Sequence, residues 1–245
     1  MVALLLNAGY GTRLYPLTLN FPKGLLQIGE KTICDYLVDK LKEIEVEKIY
    51  LVTNARFYPF FKKWAEERKI YVLNDETDGP ENRLGAIKDI QFFMEEVNPS
   101  DSVLVLSGDN LFDFSLKGLY ESFNEKKEEY FTTGLFRMEN QERIKSYGVV
   151  ELGENGRVIR FKEKPERPFS NLASIGIYIY PQDKLFRIKE YLDEGNNPDA
   201  PGFFLEWLIK VEEVYSYIFS GNWYDIGTLE TLEEARRCFK KKEDK

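Results

Sequence analysis

Three short segments of the sequence carry residue types that bind phosphates and cations. The first is Gly9-Tyr10-Gly11-Thr12-Arg13, with Lys23 a short distance beyond it. The other two are acidic and centre on Asp109 and Asp225. Glycines let backbone N–H groups approach phosphate oxygens closely, and an arginine grips a phosphate through two parallel hydrogen bonds. Carboxylates are the ligands that Mg2+ prefers when it also binds phosphate and water.

Each segment taken alone also has an ordinary explanation. The glycine segment is equally consistent with a tight surface turn, Asp109 with a turn residue and Asp225 with a helix cap. A dinucleotide-binding fingerprint would need a third glycine where the sequence has Leu14, and the prolines at 16 and 22 oppose a long helix there. A Walker A motif is absent as well.

A fourth candidate segment joins Gly148 to Glu163-Lys164-Pro165. Proline disfavours helical backbone at the residue before it, so we expect Lys164 to be extended and able to face a phosphate. Alternating charge on an exposed strand is the competing explanation of this segment.

Continuous apolar runs predict the strands that position these residues. Val2–Leu6 and Ser102–Leu106 are typical of parallel strands buried on both faces, and Lys48–Thr53 and Ile70–Leu73 are predicted as strands between them. Helical spacing predicts three helices in the first half, over about 33–44 (capped by Thr32), 55–68 and 84–97. This alternation predicts an α/β fold, a Rossmann-like, doubly wound, mostly parallel mixed sheet flanked by helices. Ligands bind such sheets beyond the carboxyl ends of the strands, where both Gly9–Gly11 and Asp109 fall.

The second half of the sequence is richer in strands, which we interpret as an inserted small β region. The predicted strands are Tyr130–Arg137, Gly148–Leu152, Arg157–Phe161, Ser174–Tyr180 and Val214–Phe219. The predicted helices are Gln182–Leu192, Phe203–Glu212 and a closing amphipathic helix from Leu229 to about Lys240. The closing helix either packs on the domain or contributes to a homo-oligomer.

Composition excludes several classes of function. The 245 residues include no histidine, which removes histidine bases, triads and metal ligands. The net charge of -8 without a basic block argues against nucleic acid as a partner. The apolar N-terminal run is too short for a membrane span or a signal peptide, and Cys34 and Cys238 lack metal-binding spacing. We therefore expect a reduced, cytoplasmic protein without a membrane partner.

In this order, the segments resemble the sugar-nucleotide pyrophosphorylase family of sugar-phosphate nucleotidyltransferases, which includes glucose-1-phosphate thymidylyl- and uridylyltransferases. The resemblance spans nearly the whole chain, and the opening signature and the paired aspartates are its most specific parts. It is carried by Leu6–Leu14, Pro22-Lys23, Gly108–Asn110, Tyr147–Val149, Glu163–Pro165, Gly176 and Trp223–Thr228.

The resemblance implies a Mg2+-dependent enzyme that joins a nucleoside triphosphate to a sugar 1-phosphate and releases pyrophosphate. It implies catalytic roles for Arg13, Lys23 and Lys164, and Mg2+ binding by Asp109 and Asp225. The implied nucleotide-binding residues are Leu6, Ala8, Gly9, Gly11, Thr12, Arg13, Asn74, Asn82, Gly85 and Asp109. The implied sugar-phosphate-binding residues are Asn110, Gly148, Glu163, Lys164 and Gly176. We predict one domain over residues 1–245, with a nucleotide-binding half at 1–115 and a sugar-phosphate-binding half at 116–245.

The sequence departs from the family pattern in the segment that the family uses to recognise the nucleotide base. Arg83 stands about where a small residue is expected, after the insertion-like segment Asp75–Glu81, and Gln27 replaces the usual proline. The base is therefore left open. Asn74 or Asn82 is the candidate to read its edge, and Arg83 either meets a substrate charge or is solvated.

Three other functions are compatible with parts of the pattern. A CTP-dependent cytidylyltransferase acting on phosphocholine or inositol 1-phosphate would share the glycine loop and the aspartates. A non-catalytic regulatory paralogue that binds a sugar nucleotide would typically lose the arginine, lysine or aspartates that this chain keeps. A glycosyltransferase would normally show a DxD motif, which Asp109-Asn110-Leu111 does not match.

Overall fold

A nine-stranded mixed sheet organises the protein, which we describe from a computed structural model covering residues 1–126 and 128–243. The strands are β1 Val2–Leu6, β2 Gln27–Ile28, β3 Lys31–Thr32, β4 Lys48–Thr53, β5 Ile70–Asn74, β6 Val103–Ser107, β7 Asn110–Phe112, β8 Phe131–Arg137, β9 Gly148–Leu152, β10 Val158–Glu163, β11 Leu172–Tyr180, β12 Val214–Phe219 and β13 Trp223–Asp225. The helices are α1 Ile33–Leu41, α2 Tyr58–Ala65, α3 Ala86–Val97, α4 Lys117–Glu125, α5 Phe186–Asp193, α6 Pro201–Leu208 and α7 Leu229–Glu243.

Parallel strands β6, β1, β4 and β5 lie side by side in that order. The carboxyl ends of β1 and β6 are therefore neighbours, with Leu6 paired to Ser107. Strand β1 buries Ala3 and Leu5 on one face of the sheet and Val2 and Leu4 on the other. Burial on both faces explains the continuous apolar run, since no position of such a strand faces water. The doubly wound α/β fold is confirmed.

The strands of the second half join the same sheet instead of forming a separate layer. Strand β11 is antiparallel to β6, and β8 lies along its other edge with β12 outside β8. The first residues of β11 pair with β9 and its last residues with β6, so the sheet forks along this strand. Gly176 sits in the fork at φ +69°, and a Cβ there would lie 2.9 Å from the Cβ of Ser107. Only glycine suits this combination of backbone and space.

Several element boundaries differ from the sequence-based predictions. Helix α6 starts and ends earlier than the predicted Phe203–Glu212, because Pro201 suits the first position of a helix. The predicted helix over 55–68 shortens to α2, and the one predicted from Gln182 is split by a short 3-10 turn at Gln182–Lys184. Helix α4, the β2–β3 hairpin and the short strands β7 and β13 were missed.

Two helices begin at threonine caps, and the cap predicted at Thr32 is confirmed. Thr32 and Asp35 form a reciprocal capping box at the start of α1. Thr228 accepts a hydrogen bond from the N–H of Thr231 at the start of α7, at 3.2 Å. Helix α7 packs on its own chain through Leu232, Ala235 and Phe239, which is one of the two arrangements expected for it. Within the described residues, every helix is too short or too polar to cross a membrane.

Candidate active site

A cleft of about 330 Å3 opens at the carboxyl ends of β1 and β6. The loop after β1 forms one wall, where Gly11 adopts φ +61° and Gly9 has open space on the side a Cβ would occupy. The hydroxyl of Thr18 donates to the carbonyl oxygen of Gly11 at 2.7 Å. A side chain at Gly11 would lie 3.3 Å from Thr18, so this loop closes tightly only with glycine at that position.

Two cationic side chains, those of Arg13 and Lys23, line the same cleft. Lys23 forms an ion pair with Asp109, with 2.6 Å between Nζ and Oδ2. Arg13 lies against Gly227, since a Cβ at that glycine would be 3.0 Å from the guanidinium Nη2. Both cations therefore lie where polyanions could bind, near the first acidic residue.

A two-stranded ladder brings the two aspartates together. Strands β7 and β13 pair antiparallel, with Asn110 opposite Asp225. The N–H of Ile226 then donates to the carbonyl oxygen of Asp109 at 3.0 Å. Burial and the charge of Asp109 raise the pKa of Asp225 to about 6. Burial would raise the pKa of Asp109 too, but the charge of Lys23 outweighs it and holds that pKa below its ordinary value.

Asn110 ties this ladder to the fork of the sheet. Its Nδ2 donates to the carbonyl oxygen of Ile175 at 2.6 Å, and its Oδ1 accepts from Trp223 Nε1 at 2.8 Å. Both ends of the buried amide are therefore used within the protein. The side chain holds β7, which begins directly after Asp109, against β13, which carries Asp225. A direct substrate contact by Asn110 remains a prediction.

A second cleft of about 160 Å3 adjoins the first and shares Ser107 and Asp109 with it. Its wall includes Glu163, whose carboxylate packs against two glycines. A Cβ on Gly202 would overlap the carboxylate, and a Cβ on Gly148 would lie 3.0 Å from Oε2. Burial raises the pKa of Glu163, and the charge of Lys164 partly offsets this. A carboxylate enclosed by glycine backbone, with a lysine beside it, can accept hydrogen bonds from a small polar ligand.

The conformation predicted for Lys164 is wrong. Its φ is +45°, in the left-handed region, although the residue precedes a proline. The backbone N–H of Lys164 donates to the carbonyl oxygen of Tyr147 at 3.1 Å, which holds the turn. The exposed side chain still lines the smaller cleft, with Nζ 3.7 Å from Oε1 of Glu163.

The structure gathers most of the predicted site residues into these two clefts. The larger cleft contains Leu6, Ala8, Gly9, Gly11, Thr12, Arg13, Lys23, Gly85 and Asp109. The smaller cleft contains Asp109, Asn110, Gly148, Glu163, Lys164, Gly176 and Asp225.

Asn74 and Asn82 line neither cleft. Asn74 Oδ1 accepts from the N–H of Glu76 at 3.0 Å, and Asn82 Oδ1 accepts from the N–H of Gly79 at 3.1 Å. Both amides thus shape local turns, as short polar side chains often do. Arg83 does line the larger cleft, but it is paired with Asp199 at 2.7 Å, an arrangement that neither expectation for it included.

Several residues of the larger cleft were not predicted from the sequence. Asn7 is buried with an unpartnered Nδ2, and its side chain fills the space left by the absent side chains of Gly24 and Gly108. Asp75 and Asp89 form a buried carboxyl pair in the opposite wall. Asp89 is an acidic residue in the first turn of α3, which was a possible signal for the pair. Acidic residues are common at that position, however, because they interact favourably with the helix dipole.

The acidic side chains of the site can be compared with the ligand sets that metal ions require. Among the described residues, no three His, Cys, Asp or Glu side chains are grouped for a metal ion. Asp109 and Asp225 offer two carboxylates, which match the ligand set of Mg2+. This ion is usually bound by one or two carboxylates, while phosphates and water complete its coordination shell.

Comparison with known proteins decides the family. A profile of the family described as nucleotidyl transferase matches residues 2–242. The chain belongs to the nucleotidyl transferase family. A protein of Methanococcus maripaludis named bifunctional protein GlmU is 32% identical over 93% of this nucleotidyl transferase chain and 51% of its own length. A glucose-1-phosphate adenylyltransferase of Thermotoga maritima is 28% identical over 96% of the chain and 59% of its own length.

The chain thus spans 51% and 59% of the length of these two relatives. A crystal structure of UDP-glucose pyrophosphorylase complexed with UDP-glucose superposes with a TM-score of 0.80 at 24% identity, covering 99% of this chain and 100% of that one. At this identity the likeness shows the fold.

Proposed function

We propose that this protein is a Mg2+-dependent nucleotidyltransferase that joins a nucleoside triphosphate to a sugar 1-phosphate. The products are a nucleoside diphosphate sugar and pyrophosphate. One observation carries the proposal: the two clefts meet at Asp109, with Asp225 on the adjacent strand. An enzyme that joins two phosphorylated molecules needs two binding sites whose phosphate ends converge.

The larger cleft suits the triphosphate. The glycine loop, Arg13 and Lys23 line it, so positive charge lies beside a loop of a kind whose backbone N–H groups commonly bind phosphate oxygens. No carboxylate of the described residues lies within 4.0 Å of the Arg13 guanidinium, so it is free to pair with phosphate. The protein has a net charge of -8, so these local cations must hold the anion against the overall field.

The smaller cleft suits a sugar phosphate. Glu163 can accept hydrogen bonds from sugar hydroxyl groups, and Lys164 can pair with the phosphate. Tyr147, Tyr178 and Trp223 also line this cleft, and aromatic faces are the groups that recognise the quaternary ammonium of choline. The acceptor screen described below therefore decides between a sugar phosphate and phosphocholine.

The reaction is an in-line displacement at the α-phosphorus. A phosphate oxygen of the sugar 1-phosphate attacks, its bond to the α-phosphorus forms, and the bond between that phosphorus and the bridging oxygen of pyrophosphate breaks. The nucleophile is already ionised, so no general base is required and the absence of histidine is no obstacle.

Catalysis then rests on charge and position. Arg13 and Lys23 hold the triphosphate and Lys164 holds the acceptor, which brings two mutually repelling anions together. A Mg2+ ion bound by Asp109 and Asp225 would neutralise phosphate charge as it develops.

A screen of pyrophosphate release tests the proposal. The common nucleoside triphosphates are combined with glucose 1-phosphate, other sugar 1-phosphates, phosphocholine and inositol 1-phosphate, with and without MgCl2. We expect release only with Mg2+ and a sugar 1-phosphate. Release with phosphocholine or inositol 1-phosphate alone would identify the cytidylyltransferase alternative. Binding of a sugar nucleotide without any release would identify a regulatory protein.

A further inference from the structure

The side chain of Asn7 is buried in the wall of the larger cleft, and the proposed reaction gives it no role. Its backbone is tied to the end of the neighbouring strand β4. The N–H of Asn7 donates to the carbonyl oxygen of Val52 at 2.8 Å, and its carbonyl oxygen accepts from the hydroxyl of Thr53 at 3.2 Å. Asn7 therefore occupies a fixed position at the carboxyl end of the sheet, against which other segments can pack.

The Asn7 amide touches two glycines, each next to a charged residue of the site. A Cβ at Gly24 would overlap its Oδ1, and a Cβ at Gly108 would overlap both polar atoms of the amide. Gly24 directly follows Lys23, and Gly108 directly precedes Asp109. One side chain therefore contacts both of the segments that carry the ion pair.

These two glycines are required for space and not for backbone conformation. Neither has a positive φ, so no left-handed backbone demands glycine at either position. At Gly108 the three heavy atoms nearest to an added Cβ all belong to Asn7. At Gly24 the Sγ atom of Cys34 would also be close, at 2.7 Å. The crowding at Gly108 is therefore due to the Asn7 side chain.

Hydrogen bonding does not account for a buried amide at this position. Its Oδ1 accepts from the thiol of Cys34 at 3.7 Å, and a thiol is a weak donor. Its Nδ2 has no acceptor among the described residues. A buried donor without a partner is unfavourable for folding. The contribution of the Asn7 amide therefore lies in the space that it fills.

The ion pair between Lys23 and Asp109 depends on the spacing of the two segments that this amide contacts. Nζ and Oδ2 are 2.6 Å apart, and the two side chains are only 16% and 28% exposed. The attraction between partly buried charges falls with distance, and densely packed interiors transmit small displacements. Removing the amide or enlarging one of its glycine neighbours should therefore shift the two charges relative to each other.

We propose that Asn7 is a positioning residue that sets the spacing of the Lys23 and Asp109 segments, so that both charges meet the phosphates of the nucleotide. This step rests on the proposed function, in which Lys23 binds the triphosphate and Asp109 binds Mg2+. Asn7 acts through its two glycine contacts, because its Nδ2 is shielded from solvent.

A double-mutant cycle of Asn7→Ala and Gly108→Ala tests the proposal. The first variant leaves a gap beside Gly108, and the second adds a methyl group that overlaps the amide. In the double variant, the methyl group occupies part of the space that the amide has left. Isothermal titration calorimetry with tripolyphosphate and MgCl2 measures the phosphate-binding wall without a nucleobase or an acceptor. We expect binding about tenfold weaker in each single variant, and within about threefold of the unaltered protein in the double variant.

Two results would overturn the inference. One is unchanged tripolyphosphate binding in both single variants when they are folded. The other is binding by the double variant that is as weak as the two single losses multiplied. If a single variant does not fold, the double variant decides. It must then fold and bind tripolyphosphate within about threefold of the unaltered protein, and otherwise the inference is wrong.

The variant Leu119→Ala separates positioning from general loss of stability. Leu119 is fully buried on α4 and lines neither cleft. Its truncation should lower the Tm while leaving the affinity for tripolyphosphate unchanged. A loss of affinity in Leu119→Ala equal to that in Asn7→Ala would show that the Asn7 effect is only one of stability, and would overturn the inference.

Failure of this inference differs from failure of the proposed function. Pyrophosphate release in the acceptor screen, together with independent losses in the double-mutant cycle, would leave the proposed function intact and overturn the role of Asn7. Recovery in the double variant without release for any acceptor would support the role of Asn7 and overturn the proposed reaction. Absence of tripolyphosphate binding to the unaltered protein, together with absence of release, would overturn both.

Discussion

Two carboxyl pairs lie in the larger cleft and at its junction with the smaller one, and their surroundings decide what each can do. Asp109 has Lys23 at 2.6 Å and the guanidinium of Arg13 nearby, so this pair lies beside positive charge that can neutralise phosphate. No cation of the described residues lies beside Asp75 and Asp89, and burial raises the pKa of both carboxyl groups. The first pair therefore suits a divalent ion, whereas the second is a buried acidic pair whose two carboxyl groups titrate together.

At the residue scale, Asp109→Asn and Asp225→Asn should each lower the rate of pyrophosphate release by about 100-fold or more. Each substitution removes a charge expected to hold Mg2+ against the reacting phosphates. Initial rates at saturating MgCl2 measure the effect, and circular dichroism checks that each variant is folded. Asp193→Asn serves as the control and should keep the full rate. Full activity in either variant would remove that residue from the metal site.

The buried pair of Asp75 and Asp89 should make the stability of the folded protein depend on pH. The pKa of Asp89 is about 8 when folded and near 3.8 when unfolded, so the folded state binds this proton more tightly. The associated stability is fully present below pH 4 and is lost as pH rises toward 8. Asparagine does not titrate, so the Tm of Asp89→Asn minus that of the unaltered protein should grow across this range.

Differential scanning fluorimetry between pH 4 and pH 9 measures that difference in Tm. We expect it to increase by about 3 °C or more and to level off above pH 8. Asp193→Asn, an exposed carboxylate, should show a flat difference. A flat profile for Asp89→Asn would mean that burial does not raise the pKa of Asp89.

Residue types indicated much of the phosphate-binding wall but not the opposite wall. Glycine, arginine and strand-end aspartate each have a chemical use that can be read from the sequence. Asp75 lies in a polar stretch where it resembles an ordinary turn residue, and Asp89 resembles a helix-dipole partner. Their significance arises only when β5 and α3 place them side by side, and no local pattern reports that contact.

At the element scale, the fork in β11 positions the two clefts relative to each other. Gly176 lies at this fork beside Ser107, which borders both clefts. Long apolar strands such as β1, β4 and β12 were predictable because their residues repeat a simple pattern. The three-residue strands β7 and β13 were not, since each is stable only through pairing with a segment distant in the chain.

Gly176→Ala should destabilise the protein more than Gly195→Ala. Both glycines have positive φ, +69° and +76°, so each substitution pays a left-handed penalty of about 1–2 kcal/mol. Only Gly176 is crowded, whereas nothing lies within 4 Å of a Cβ at Gly195. The crowding should add about 1–3 kcal/mol to the loss in free energy of unfolding, measured by urea denaturation. Equal losses would show that Ser107 moves aside without cost.

At the scale of the whole molecule, neither half of the chain holds a complete site. The smaller cleft combines Asp109 from the first half with Gly148, Glu163 and Asp225 from the second. Strands β6 and β11, one from each half, are hydrogen-bonded neighbours. The hydrophobic clusters on both faces of the sheet also draw side chains from both halves, such as Leu106 with Ile177. We therefore predict that residues 1–245 form one cooperative unit.

Cutting the chain tests this prediction. Fragments 1–115 and 116–245, expressed separately, should each lack a cooperative unfolding transition and release no pyrophosphate. In the first fragment β6 would lose β11 and present an unpaired apolar edge, and in the second β11 would lose β6. Co-expression should restore a complex with activity, because the cut falls between β7 and α4 and leaves every strand whole. A separate fragment that unfolds cooperatively at the Tm of the intact protein would show instead that the halves are independent domains, and that the two clefts meet only through their docking.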